Sequence, residues 1–197
     1  MSSSGFSAVG SKVDIGDENQ VSAAMQSAGK IDAIVHCAGI VGPSQRPITE
    51  VTIEEYDLVY RINQRGSFLI VKHAVKAMLP HQYGRILLFA SIAGKEGNPG
   101  MSPYSTTKAA VIALSKSAAK DYATSGITIN AIAPGVIRTG LVDALDPAQE
   151  AYMTSKIPMQ RTGTLAEVAA MTAWIISREA SFTTGFTYDL TGGRATY

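Results

Sequence analysis

Ser91, Tyr104 and Lys108 lie thirteen and then four residues apart in SIAGKEGNPGMSPYSTTK, which follows directly on the apolar run RILLFA. A phenol with an ammonium one helical turn further on is a candidate proton donor and acceptor. A free tyrosine has a pKa of about 10, so only about one in a thousand is ionised at neutral pH. A lysine cation nearby favours the phenolate and makes Tyr104 a usable acid or base. A serine hydroxyl converging on the same point can hydrogen-bond a substrate oxygen and steady the charge growing there. Such a trio moves a proton but supplies no hydride, so an alcohol/carbonyl interconversion here needs a nicotinamide cofactor. Pair by pair, the same residue types also occur as solvated helix positions and ordinary turn chemistry. What singles them out is the set of elements that must carry them.

Four apolar runs, IDAIVHCAG, RILLFAS, ITINAIAPG and FTYDLTGG, are rich in Ile, Val or Phe and end in glycine or small polar residues. They read as buried parallel strands. Between them, DENQ at Asp17, TIEE at Thr52 and TLAE at Thr164 each predict a helix start closed by a capping box. The stretch from Ile53 to Leu79 is too long for one plain helix; its polar centre NQRG predicts a break or bend near Asn63 to Gly66, and Pro80 ends it. From Tyr104 to Tyr122 the apolar residues recur at helical spacing, which puts Tyr104 and Lys108 on one face. Strands alternating with helices predict an open, doubly wound, mostly parallel α/β sheet of Rossmann-like type. Ligands bind such sheets at the carboxyl ends of the strands, where Ser91 sits. The loop IAGKEGNPGMSP, with glycines at 94, 97 and 100, can then turn back and bring the trio together.

The totals bound the function. A chain of 197 residues with 46% hydrophobic content supports one domain with a sizeable core. A formal charge of +1 supplies no field for nucleic acid or an anionic membrane, so a small molecule is the expected partner. The single cysteine excludes an internal disulfide, nothing resembles a signal peptide, and the apolar runs are too short to cross a bilayer. A cytoplasmic address is the simplest expectation. His36, His73 and His81 share no ligand spacing, so no metal site is expected. Cys37, at a strand end without a basic partner, reads as a small buried packing residue.

The trio Ser91, then Tyr104-Ser-Thr-Thr-Lys108, resembles the Ser…Tyr-x-x-x-Lys signature of the short-chain dehydrogenase/reductase family. HCAG, His36 to Gly39, resembles the family's Asn-Asn-Ala-Gly turn, with Cys37 in the second Asn position. RINQRGSF resembles the segment carrying the active-site asparagine, which falls on Asn63. NAIAPGVIRTGL is similar to the stretch that lines the nicotinamide, here through Pro134, Gly135, Ile137 and Thr139. VDIGD resembles the segment beside the adenine ring and places Asp14 and Ile15 there, and FTTGFTYDLTGG resembles the last strand and tail. The resemblance covers the chain from about Val13 onward. It implies NAD or NADP as cofactor, with the choice unreadable, and a small carbonyl or alcohol substrate. Tyr104 would exchange the proton; Lys108 would lower its pKa and hold the nicotinamide ribose; Ser91 would orient the substrate oxygen; Asn63 would hold a water in a proton relay. Cys37, Ala38 and Gly39 would lie along the cofactor. Among relatives, 3-oxoacyl-acyl-carrier-protein reductases are the nearest in look. Segment 138–163 matches a mobile substrate lid, although its Leu141, Tyr152, Met153 and Met159 also read as packing. The helices at 66–79 and 104–122 would form a homodimer or homotetramer.

One departure stands out. The family's opening strand, Thr-Gly-x-x-x-Gly-x-Gly turn and helix, which receive the pyrophosphate, have no counterpart before KVDI. In the family's strand order, 3-2-1-4-5-6-7, the first two strands lie between KVDI and DAIVHC. Residues 1–197 are therefore expected to form a single Rossmann-like domain that is missing its first β-α-β unit and is incomplete on the N-terminal side. DAIVHC would be left with an unpaired apolar edge. The first segment re-pairs there, another chain covers it, or the sequence is a piece of a longer product. Two functions follow: an NAD(P)-dependent oxidoreductase, or a cofactor-poor pseudoenzyme or assembly partner without turnover.

Overall fold

A computed structural model of the chain describes residues 7–140 and 146–197. Strands form at the four predicted runs: β1 (Ala33–His36), β2 (Gly84–Phe89), β3 (Ile127–Pro134) and β4 (Thr187–Leu190). All pair in parallel, in the order β1-β2-β3-β4. Parallel neighbours need long crossovers, and helices supply them.

The first helix, α1 (Glu18–Ala28), rests on α3 (Gly66–Met78) through Val21 against Leu69 and Ile70. Ile86 and Leu88 of β2 point to one face of the sheet, where Val71, Val75 and Met78 of α3 and Val111 and Ala119 of α5 (Ser102–Asp121) cover them. Leu87 and Ile132 point to the other face and meet Ile175 and Met171 of α7 (Leu165–Ile175). Each such side chain removed from water stabilises the fold by about 1.5–3 kcal/mol. Helices thus cover both faces, as the doubly wound reading expects.

Ile53 to Met78 contains no break. Helix α2 (Ile53–Val59) runs through a π-helical turn, Tyr60–Arg65, into α3, and Leu79–His81 close it as a 3-10 turn at Pro80. The wide turn inserts one residue into the helical register and leaves Asn63 buried. Thr52 and Thr164 close reciprocal capping boxes. Asp17 does not: its side chain caps Asn19 and Gln20, but Gln20 Oε1 accepts from the Asp14 N–H at 2.9 Å. The Asp17 N–H is already taken by the Asp14 carbonyl, so no donor is left for the second half of the box. The glycine-rich loop after Ser91 also holds more structure than expected, a short helix α4 (Ile92–Glu96). A further helix, α6 (Pro147–Ser155), precedes α7. Among the described residues no helix is long and apolar enough to cross a membrane.

At the β1 edge, Val35 is the register partner of Leu87, yet Val35 is 39% exposed and Leu87 fully buried. Helix α7 therefore covers the inner strands and stops short of β1. Among the described residues no strand pairs with the outer edge of β1. The KVDI segment does not re-pair there; it is irregular, with Val13 and Ile15 packed beside Val21, Leu69 and Ile70. Cys37, expected to be buried, is exposed because it continues this open edge. Urea unfolding of Leu87→Ala should show a loss of about 3 kcal/mol, against less than about 1 kcal/mol for Val35→Ala. Equal losses would mean that Val35 is covered in solution.

Candidate active site

Ser91 lies two residues past the end of β2 and caps α4, its Oγ accepting from the Ala93 N–H at 3.1 Å. Capping uses an oxygen lone pair and leaves the hydroxyl proton free to donate. Helix α4 then lies against the backbone of α5. A Cβ on Gly94 would stand 2.6 Å from the Lys108 carbonyl carbon and 2.7 Å from the Ala109 nitrogen, so only glycine fits. Gly97 and Gly100 take positive φ, which lets the chain reverse into α5.

Helix α5 begins two residues before Tyr104, with Pro103 in its first turn. Lys108 is 6% exposed, and its Nζ donates to the Phe89 carbonyl at 2.6 Å, tying α5 to the end of β2. Burial lowers the Lys108 ammonium to about 8. Tyr104 moves the other way: burial raises its pKa, and a hydrogen bond from Ser91 only partly offsets this. The direction is thus opposite to the acidification expected from Lys108. The Lys108 amine engages a backbone carbonyl and stands 5.7 Å from the Tyr104 ring centroid, and desolvation decides the direction.

Asn63 is placed by the π-helical turn. Its Oδ1 accepts from the Ile40 N–H at 2.8 Å, and its Nδ2 donates to the Ile40 carbonyl at 2.8 Å and to Thr107 Oγ1 at 3.1 Å. Both amide hydrogens are used, so the side chain clamps the loop after β1 onto α5, while Oδ1 keeps one lone pair that can accept from a water. The Asn63 carbonyl accepts from Ser67 Oγ at 2.5 Å, and Ser67 in turn lies 3.0 Å from His36 Nε2. Burial takes His36 down to about 4, and the Lys108 charge adds to this, so the ring is neutral. Since Ser67 gives its proton to Asn63, His36 carries hydrogen on Nε2.

A cavity of about 220 Å³ at the carboxyl end of the sheet gathers Ser91, Tyr104, Lys108, Cys37, Gly39, Pro134 and Gly135. Ala38 is exposed between two of these. Asn63 stands directly behind Gly39, where an added Cβ would be 3.1 Å from its Oδ1 and 3.4 Å from Lys108 Nζ. Loss of water pushes the Cys37 thiol up against the pull of Lys108, and the thiol stays protonated at neutral pH. The other expected cofactor residues lie outside this cavity. The Asp14 carboxylate accepts from Gly16 N–H and from Arg61, at 2.9 and 2.8 Å, and Arg61 holds its pKa below the usual carboxylate range. Ile15 lies against Gly66, Ile137 bridges to Gly163, and Thr139 stands beyond the wall. In segment 138–163, Tyr152 and Met159 are exposed and Met153 is half-buried; Leu141 falls outside the described residues. Residue patterns missed Phe89, which acts through its carbonyl and leaves no side-chain signal. Thr107 and Ile40 were missed too, although a hydroxyl beside Lys108 on the same helix was a signal for the former.

A family profile described as "Enoyl-(Acyl carrier protein) reductase" matches residues 2–194. The chain is 41% identical over 189 residues to a 2-dehydro-3-deoxy-L-rhamnonate dehydrogenase (NAD(+)) of Sphingomonas sp. (strain SKA58), covering 94% of this chain and 76% of that protein. It is 36% identical to the 3-oxoacyl-[acyl-carrier-protein] reductase FabG of Rickettsia felis, covering 91% and 74%. Among solved structures, ElxO with NADP bound superposes with a TM-score of 0.88 at 33% identity, covering 93% of this chain and 77% of that one. NAD+-bound xylitol dehydrogenase gives 0.86 at 30% identity, covering 92% and 77%.

The Lys108 environment makes a testable statement about pH. In the cofactor-free protein, NMR of the Lys108 side chain should show a midpoint near 8. A midpoint near the usual value of about 10.4 would contradict the burial described. Because the folded-state value lies below the unfolded one, the desolvation cost is fully present below pH 8 and is relieved as pH rises towards the unfolded value.

Proposed function

Because the chain belongs to the short-chain dehydrogenase/reductase family, we propose that its NAD(P)-dependent chemistry interconverts a ketone and a secondary alcohol, with Tyr104 exchanging the proton, Ser91 holding the substrate oxygen and Lys108 holding the nicotinamide ribose. The observation that carries this reading is the convergence of the three side chains on one cavity, part of whose wall is formed by Gly39, Pro134 and Gly135, which carry no long side chain. That wall suits a flat ring, and the three donors suit a ribose and a carbonyl oxygen, so the residues present fit a nicotinamide nucleotide. When bound, it supplies or accepts the hydride.

The protein's own groups then act at defined atoms. Ser91 turns its hydroxyl proton from the Tyr104 oxygen to the substrate oxygen. Tyr104, whose pKa burial raises, keeps its proton at neutral pH and delivers it to the same oxygen as charge develops there. A tyrosine held in this state favours reduction of a ketone. Lys108 stays mostly protonated at neutral pH and offers N–H donors beside the ribose. Its charge falls away above about pH 8, so reduction should slow through that range. The relatives' names span a dehydro sugar acid and a 3-oxoacyl thioester. A 3-oxoacyl thioester is the proposed substrate class, and exposed Tyr152 and Met159 support a lid that closes over its acyl part. Exposed Phe68 on α3 and the small Ala109 and Ala113 on α5 support association into a homodimer or homotetramer, which light scattering would read. A single cysteine and a net charge near zero fit a cytoplasmic protein.

Titration with NADH and NADPH, followed by nucleotide fluorescence and by reduction of an acetoacetyl thioester, tests the whole reading. Saturable binding with turnover is expected. Tyr104→Phe should lower kcat by about 10³-fold with little change in nucleotide affinity, and Ser91→Ala by about 10²-fold. No binding up to about 1 mM nucleotide would point to a cofactor-poor pseudoenzyme. Full activity in Tyr104→Phe would remove the proposed proton donor.

A further inference from the structure

The sheet has a second cavity at the end opposite Ser91, about 570 Å³ in volume, where β2 and β3 begin. Arg85 and Thr128 are register partners there and face the α7 side of the sheet together. Arg85 is only 5% exposed. Its Nε donates to the Ser177 carbonyl at 3.0 Å, and its Nη1 to the carbonyls of Gly84 and Gly126 at 2.9 and 3.2 Å. These bonds leave Nη2 without a protein acceptor among the described residues. Thr128 is 8% exposed, and its Oγ1 is enclosed with no hydrogen-bond partner.

A second guanidinium stands nearby. Arg178, just past α7, lies 4.8 Å from the centroid of the Tyr83 ring, and Arg85 lies 4.6 Å from the same centroid. No Asp or Glu lines the cavity. Ser181 adds a hydroxyl, and the wholly exposed Phe182 adds an apolar surface. A buried cation held by carbonyls and the Tyr83 ring, beside a hydroxyl with no partner and a second cation, lacks an acceptor of opposite charge. An oxyanion would supply it, accepting from Nη2 and, with the Thr128 side chain turned into the cavity, from Oγ1, while offsetting the charge of Arg85.

We propose that this cavity binds the phosphate or carboxylate group of a small metabolite, with Arg85 Nη2, Thr128 Oγ1 and the Arg178 guanidinium as donors. The site is separate from the catalytic cavity, because the extended chain from Arg85 to Ser91 spans about 20 Å. Ligand there and nucleotide at Tyr104 do not compete.

Calorimetric titration of the full chain with inorganic phosphate, and separately with benzoate, tests this at constant ionic strength held by chloride. Saturable binding of at least one anion is expected, unchanged by saturating NADPH. Phosphate alone would assign a phosphate group, benzoate alone a carboxylate, and both a general oxyanion site. Thr128→Val keeps the side-chain shape and removes no charge, so it tests the site and not the diffuse field; about tenfold weaker binding is expected. Arg178→Gln, at an exposed position, should weaken binding similarly and keeps the test open should Thr128→Val fold poorly. Neither anion binding up to about 10 mM would overturn the proposal. So would binding that both substitutions leave unchanged, or binding that NADPH abolishes.

Discussion

The separation between α4 and α5 at Gly94 governs the geometry of the candidate site. With no Cβ at that position the two backbones close to a distance that any side chain would forbid. Ser91, as the cap of α4, is thereby held against the first turn of α5, which carries Tyr104. The same approach lets the Lys108 amine reach beneath to the Phe89 carbonyl. Tyr104, Ser91 and the Lys108 amine are thus brought together by one backbone contact, to which the Ser91–Tyr104 hydrogen bond adds.

Within that frame desolvation sets the electrostatics. Burial raises Tyr104 and lowers Lys108 and His36, and partial loss of water raises the thiol of exposed Cys37, in each case towards the neutral form and as the largest cause. Neighbouring charges adjust these shifts without reversing them. The outcome suits a proton donor that must keep its proton until a substrate oxygen draws on it. The π-helical turn aims Asn63 inward, and its amide joins Ile40 to Thr107, fixing the loop that lines the cavity together with Tyr104.

Much of this was legible in the residues, and the exceptions share a cause. The strands could be read because β-branched and apolar runs ended in glycine or small polar residues, and the disturbance near Asn63 because polar residues interrupted an apolar helix. That the disturbance is a π-helical turn was not legible, since a kink or a loop would use the same letters. The box at Asp17 fails because a backbone bond to Asp14 competes for the donor. Helix α4 was hidden by glycines that serve close packing as well as turning. That burial outweighs Lys108 at Tyr104 was not legible, because the partner that claims the amine is a backbone carbonyl from a distant strand. Exposure of Cys37 and Val35 depends on how far α7 extends across the sheet, which no local pattern encodes.

The most direct test of the central claim is the steady-state rate of Gly94→Ala, with circular dichroism confirming that the sheet and helices remain. A methyl group there must push α4 away from α5, and kcat/KM is expected to fall by about 10²-fold or more through the misplacement of Ser91 relative to Tyr104. A folded Gly94→Ala protein that works at the parent rate would contradict the account.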